Sequence, residues 1–176
     1  MRYTLFILIV TLVAGVCRSQ ETADYRVRPG VEVLRESGFE ALKGKRVGLI
    51  TNPTGIDNSL KATIDILHEA PDVELVALFA PEHGVRGDIT AGATVGNTTD
   101  PATGVKVYSL YGATKKPTPE MLAGIDALVY DIQDNGCRSY TFISTMAMAM
   151  EQCARATIWC VLVSPWQKDC RPSANL

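Results

Sequence analysis

The sequence predicts an α/β domain with a mostly parallel sheet flanked by helices, and three observations carry that prediction. Residues 45–51, 73–79 and 126–134 contain near-continuous apolar runs, the pattern of strands buried on both faces. Segments with apolar residues at three- and four-residue steps lie between them, which is helical spacing. Each run ends in turn chemistry bearing polar or ionisable side chains: Asn52-Pro53-Thr54-Gly55, Ala80-Pro81-Glu82-His83 and Gln133-Asp134-Asn135-Gly136. Strands separated by helices pair in parallel through right-handed crossovers, so these polar ends gather along one edge of the sheet.

Taken in order, Val31, Leu34, Phe39 and Leu42 mark one helical face that stops at Lys43-Gly44. A strand over 45–51 follows. The next helix is expected from about Ser59, with Leu60, Ile64 and Leu67 on its inner side and Ala70-Pro71-Asp72 breaking it. The strand over 73–79 is stopped by Pro81, which has no amide hydrogen to continue a ladder. Residues 89–104 form a long loop rich in Gly, Thr and Asn, of the length that is often functional. A strand over 105–111 comes next, and Thr118-Pro119-Glu120 supplies a hydroxyl cap, a proline at the first helical position and an acid at the positive end of the dipole. Beyond the 126–134 strand, Ile143, Met146, Ala147, Met150 and Ala154 predict a helix with a wide core face, and Arg138, Ser139, Tyr140 and Thr141 are placed in its first turn.

Composition narrows the function. Arg2 precedes a short apolar run and then Cys17-Arg18-Ser19-Gln20, the layout of a secretory signal peptide over residues 1–20, too short to span a bilayer comfortably. The expectation is an exported protein, periplasmic or extracellular, without stable membrane insertion after cleavage. Losing Arg2 and Arg18 and no acid leaves 15 basic against 19 acidic residues, and no basic stripe to neutralise phosphates, so no nucleic-acid partner is expected. Cys137 and Cys153 read as core thiols, and no cysteine pair has metal-ligand spacing. There is no Gly-rich dinucleotide fingerprint or Walker loop, and no cofactor is expected.

The candidate site follows from the strand ends. Glu82, His83, Arg86 and Asp88, jointed by Gly84 and Gly87, follow a core strand where α/β sheets open into a ligand crevice. Asn52, Asp131, Gln133 and Asp134 belong to the same edge, and Arg138 and Tyr140 are placed to receive an anionic or hydroxyl-bearing ligand. Three classes fit these groups. A hydrolase would use Glu82 as acid or base; an oxygen-ligated Mg²⁺ or Ca²⁺ site would recruit Glu82, Asp131 and Asp134; a binding module would only hold the ligand. With His68 and His83 the only histidines, a multi-histidine centre is not expected.

Five strings in order add a resemblance: RVGLITNPTG (46–55), LFAPEHGVRGD (78–88), GVKVYSLYG (104–112), the Thr118-Pro119 helix start, and ALVYDIQDNGCRSYTFISTM (127–146). Over roughly residues 30–155 the chain resembles the exo-β-N-acetylmuramidases of the NamZ type. The resemblance implies a Rossmann-like amino-terminal domain, here residues 21–156, followed in the family by a smaller carboxy-terminal one. It implies a glycosidase that releases N-acetylmuramic acid from the non-reducing ends of peptidoglycan fragments, so that a muropeptide or disaccharide is the expected partner. The family's proposed catalytic acid or base falls on Glu82. On this reading His83 and Asp131 tune or orient Glu82, and Arg86 or Arg138 selects the substrate's lactyl carboxylate. After Ala154 the chain departs from the family pattern: residues 157–176 hold both tryptophans and two of five cysteines, as expected of a frameshifted or truncated tail, although 158–163 retain strand character. Weak or absent activity is the expectation for a chain lacking the second domain.

Overall fold

The computed structural model describes residues 28–87, 98–137 and 139–163. The expected signal segment, Asp88, Arg138 and the chain after Val163 lie outside the described residues. Six strands form one sheet: β1 (Lys45–Thr51), β2 (Val73–Ala80), β3 (Thr98–Thr99), β4 (Lys106–Ser109), β5 (Ala127–Asp131) and β6 (Trp159–Leu162). Their order is β3-β4-β2-β1-β5-β6, parallel throughout except where β3 pairs with β4. The parallel pairing expected for the three apolar runs is present, with Ile50 opposite both Phe79 and Tyr130.

Alternation along the strands divides the core into two layers. Val47, Leu49 and Val129 face helices α1 (Gly30–Glu36) and α2 (Thr63–His68), where Val31, Leu34, Ile64 and Leu67 pack. Ile50, Phe79, Leu128 and Tyr130 face α3 (Pro119–Leu122) and α4 (Phe142–Ala156), where Leu122, Phe142, Ala149 and Cys153 pack. Leu49, Ile50, Leu78 and Phe79 are fully buried, each contributing roughly 1.5–3 kcal/mol by area. Gly48 leaves room where β1 packs closely against its neighbours. A Cβ there would stand 2.9 Å from Ile125 and 3.0 Å from both Leu128 and Phe79.

Four expectations are corrected. The first helix is not continuous to Leu42: Gly38 and Phe39 adopt left-handed φ values of 66° and 56°, and a separate 3₁₀ turn covers Glu40–Leu42. Leu60 is not on the inner face of α2. It is 76% exposed with φ 65°, in a turn that Asp57 organises by accepting hydrogen bonds from Ser59 N, Ser59 Oγ and Lys61 N. Burial alone would raise the Asp57 carboxyl, but bonds from Ser59, Lys61 and Arg35 outweigh it and hold it at about 2. Helix α4 begins at Phe142, so Ser139 and Tyr140 precede its first turn, and it buries Phe142, Thr145, Ala149, Gln152 and Cys153. Of the expected face only Met146 packs inward; Ile143, Ala147, Met150 and Ala154 are exposed. Cys137 is exposed, not a core thiol, whereas Cys153 is buried as expected.

The capped helix start is present, with Thr118 Oγ1 accepting from Met121 N at 3.4 Å. Residues 158–163 do enter the sheet, as edge strand β6. Among the described residues no helix is long and apolar enough to cross a membrane.

Candidate active site

Strand order sets the position of the site. From β1 the chain builds outward to β2 and β4 on one side, then returns to place β5 and β6 on the other. Loops leaving the carboxyl ends of β1 and β5 therefore part in opposite directions, which opens a crevice at this switch point. Thr51 and Asp131 are register partners at its lip, and Thr51 Oγ1 donates to the Asp131 carbonyl at 2.8 Å. Thr54 Oγ1 spans the gap, donating to Asn52 Oδ1 at 2.6 Å and accepting from Gln133 N at 2.9 Å. Glycine is required beside it: a Cβ on Gly55 would collide with the Thr51 hydroxyl and stand 2.9 Å from the Asp131 carbonyl.

Asp131 is buried at the carboxyl end of β5, 7% exposed. Burial penalises its charged form and raises the carboxyl to about 6, partly opposed by a hydrogen bond from Thr63 Oγ1. It is a carboxylic acid able to hold a proton well above the ordinary carboxylate range. Asn52 is also buried; its Oδ1 accepts from Thr54 N and Oγ1, and its amide nitrogen has no hydrogen bond among the described residues.

Glu82 stands two strands away, beyond the end of β2, and is half-buried. Since β1 lies between β2 and β5, the strands that lead to Glu82 and Asp131 run about 10 Å apart. The β2–β4 register pairs Ala80 with Ser109, and Leu110 N donates to Ala80 O at 2.7 Å, so continuing the register sets Tyr111 opposite Glu82. The Tyr111 phenol is held above its ordinary value by hydrogen bonding to Glu82 and by that carboxylate's charge. Sequence reasoning missed Tyr111, although its position after an apolar strand is the same signal that marked Glu82. His83 and Gly84 have φ 74° and 77°. For a histidine this is a sparsely populated conformation, and it turns the chain as it leaves β2. At the same place Gly87 is needed because a Cβ there would lie 2.7 Å from Pro53 Cγ, the loops after β1 and β2 being in contact.

Arg86 is committed elsewhere. Its guanidinium donates to Asp65 (3.2 and 2.7 Å) and to Asp100 (2.6 and 3.0 Å). The Asp100 side chain is fully buried, and Arg86 above all, with Thr103, holds its carboxyl at about 2 despite that burial. Arg86 thus clamps α2 to the segment entering β4, and the guanidinium expected to select a substrate carboxylate is occupied by two protein carboxylates. Two cavities flank it, one of about 280 Å³ reaching Asn52 and Gly55, the other of about 210 Å³ under Ser109 and Val107.

The other candidates sit on the rim. Gln133 is exposed; Asp134 Oδ1 accepts from Gly136 N at 2.7 Å and shapes its own turn. Tyr140 is exposed and stacks on Phe142 at 6.0 Å, while the Tyr130 hydroxyl ties β5 to α4 by donating to Phe142 O at 2.9 Å. Among the described residues no three His, Cys, Asp or Glu side chains converge as a metal site would require. The oxygen-ligated arrangement of Glu82, Asp131 and Asp134 is therefore not supported: β1 separates the first two.

Against this geometry, the family model described as exo-β-N-acetylmuramidase NamZ, N-terminal, matches residues 47–165. The chain belongs to this family. It is 58% identical over 134 residues to the peptidoglycan β-N-acetylmuramidase NamZ of Bacillus subtilis (strain 168), an alignment covering 76% of this chain and 32% of that protein. Two DUF1343 family crystal structures from Bacteroides fragilis NCTC 9343 share the fold. One has TM-score 0.72 at 60% identity over 78% of this chain and 35% of its own; the other has 0.65 at 35% identity over 78% and 34%. The chain thus spans about a third of the length of each of these relatives. The match through residue 165 includes β6, so the family's N-terminal unit takes in that edge strand.

Proposed function

We propose that this chain carries the proton-transfer face of an exported exo-β-N-acetylmuramidase, which releases N-acetylmuramic acid from the non-reducing ends of peptidoglycan fragments. The observation that carries the reading is Glu82, which follows a core strand, precedes the left-handed His83-Gly84 turn and is partnered by Tyr111. Glycoside cleavage needs a carboxyl group to move a proton to or from the scissile oxygen or a water, and a second group to stabilise the charge that develops on the sugar. Glu82 serves as the first, with the Tyr111 phenol fixing its orientation. Asp131, buried at the end of β5 and raised to about 6 by that burial, is the second carboxyl group of this edge. With Arg86 engaged by Asp65 and Asp100, selection of the lactyl carboxylate falls to Arg138.

The testing assay is hydrolysis of a chromogenic N-acetylmuramic acid glycoside, with calorimetric binding of an N-acetylmuramic acid-terminated disaccharide run in parallel. Turnover that survives chelator supports the reading. In a chain that also carries the family's carboxy-terminal domain, binding without turnover supports a ligand-binding module instead, and neither binding nor turnover rejects the assignment. Intact-mass analysis of the secreted protein tests export: a chain still starting at Met1 would count against it.

A further inference from the structure

The last turn of α4 and the edge strand β6 bring two thiols together. Side chains along β6 alternate between the two faces of the sheet, and the register that sets Cys160 opposite Leu128 turns it toward the face α4 covers. Cys153 is buried on that face, and Cys160 packs against the same cluster. The connection between them is short and pinned. Thr157 closes the helix with φ 57°, Ile158 N donates to Cys153 O at 2.9 Å, and Trp159 N donates to Asp126 O at 3.2 Å. Both are free thiols, and each acts on the other: Cys160 raises the Cys153 thiol and Cys153 lowers that of Cys160.

We propose that Cys153 and Cys160 form a reversible dithiol–disulfide site that reacts with low-molecular-weight disulfides and, when oxidised, staples the edge strand to α4. Cys160 is the partly exposed member, and the hydrogen bond from Cys153 favours its thiolate. The Cys160 sulfur attacks the incoming disulfide, forming a mixed disulfide as the original S–S bond breaks and one thiolate leaves. Cys153 then gives up its proton and attacks the Cys160 sulfur, expelling the second thiolate. Two protein thiols are oxidised, one disulfide is reduced to two thiols, and the two protein protons end on the released thiols.

The test treats the folded, reduced chain with oxidised glutathione, blocks the remaining thiols under denaturing conditions, and maps tryptic peptides. Trypsin cuts after Arg155, between the two cysteines, so the bond joins two otherwise separate peptides that part on reduction. The expected result is that linked pair, with Cys137 recovered as a glutathione adduct or a blocked thiol, and a melting temperature raised by about 5 °C over the reduced chain. Cys160→Ser should abolish the linked pair and the oxidation-dependent rise. Recovery of Cys153 and Cys160 as blocked monomeric thiols, while Cys137 reacts, would overturn the proposal. So would a linkage of either one to Cys137.

Discussion

Replacing Asp131 by Asn isolates what it costs to bury an ionisable carboxyl at the end of β5. In the folded chain this group titrates at about 6, against an ordinary value of 3.8. Its folded value lies above its unfolded one, so the folded state keeps the proton longer, and stability falls as pH rises from about 4 through 6 and is level above that. A rise of about two pH units corresponds to about 3 kcal/mol. Asn keeps an oxygen to accept from Thr63 Oγ1 and cannot ionise, but it adds two N–H groups that need partners, which offsets part of the gain. Urea unfolding at pH 8 should therefore show Asp131→Asn more stable than the parent by roughly 1–3 kcal/mol, with the advantage gone at pH 4. An equal stability at pH 8, or a gain of the same size at both pH values, would refute the argument that burial governs this group. If the crevice is the substrate site, the stabilised variant should at the same time bind the disaccharide more weakly, the usual exchange between stability and a strained functional group.

Other substitutions separate roles along the same edge. In a chain that also carries the family's carboxy-terminal domain, Glu82→Gln keeps size and most hydrogen bonding but removes the titratable proton, so turnover should fall on the order of 10²-fold with affinity little changed; near-parental turnover would remove Glu82 from the mechanism. Tyr111→Phe should lower turnover while leaving the melting temperature within about 2 °C, since the residue is only half-buried, and an unchanged rate would limit Tyr111 to packing. Arg86→Met leaves the Asp100 carboxylate buried without its cation and should cost about 2–4 kcal/mol in urea unfolding; a loss below 0.5 kcal/mol would mean that Thr103 alone satisfies Asp100. Asp57 and Asp100 are both held at about 2, so their contribution is present above about pH 4 and is lost as pH falls toward 2. Acid titration of the unfolding free energy should bend in that window, and the bend should shrink in Asp57→Asn.

Strand content was legible because β1, β2 and β5 are buried on both faces, which leaves continuous apolar runs with little competing interpretation. Helix faces were less so. In α4 the inward stripe is Thr145, Ala149 and Gln152 beside Phe142 and Cys153, so the more apolar stripe, Ile143, Ala147, Met150 and Ala154, pointed the wrong way. A fold's interior accepts Thr145 because its hydroxyl bonds back to Thr141 O at 3.2 Å, and periodicity cannot register that compensation. Leu60 was misplaced for a similar reason: the Asp57 side chain takes the amides of Ser59 and Lys61 and delays the helix to Thr63. At the site, Glu82, His83, Asn52 and Asp131 were visible as strand ends. The occupation of Arg86 was not, because Asp65 and Asp100 are distant in sequence and meet it only in the fold.

The position of β1 at the centre of the sheet also has a consequence for how the chain is made. Its first neighbour, β2, follows within one helix, but its second, β5, is joined by contacts that span 80 residues, as between Thr51 and Asp131. At synthesis speeds of about 5–20 residues per second, one edge of the central strand waits roughly 4–16 seconds for its partner to emerge from the ribosome. Throughout that interval Val47, Leu49 and Ile50 belong to a growing half-sheet with one edge of β1 unpaired, the kind of edge that favours pairing with another chain.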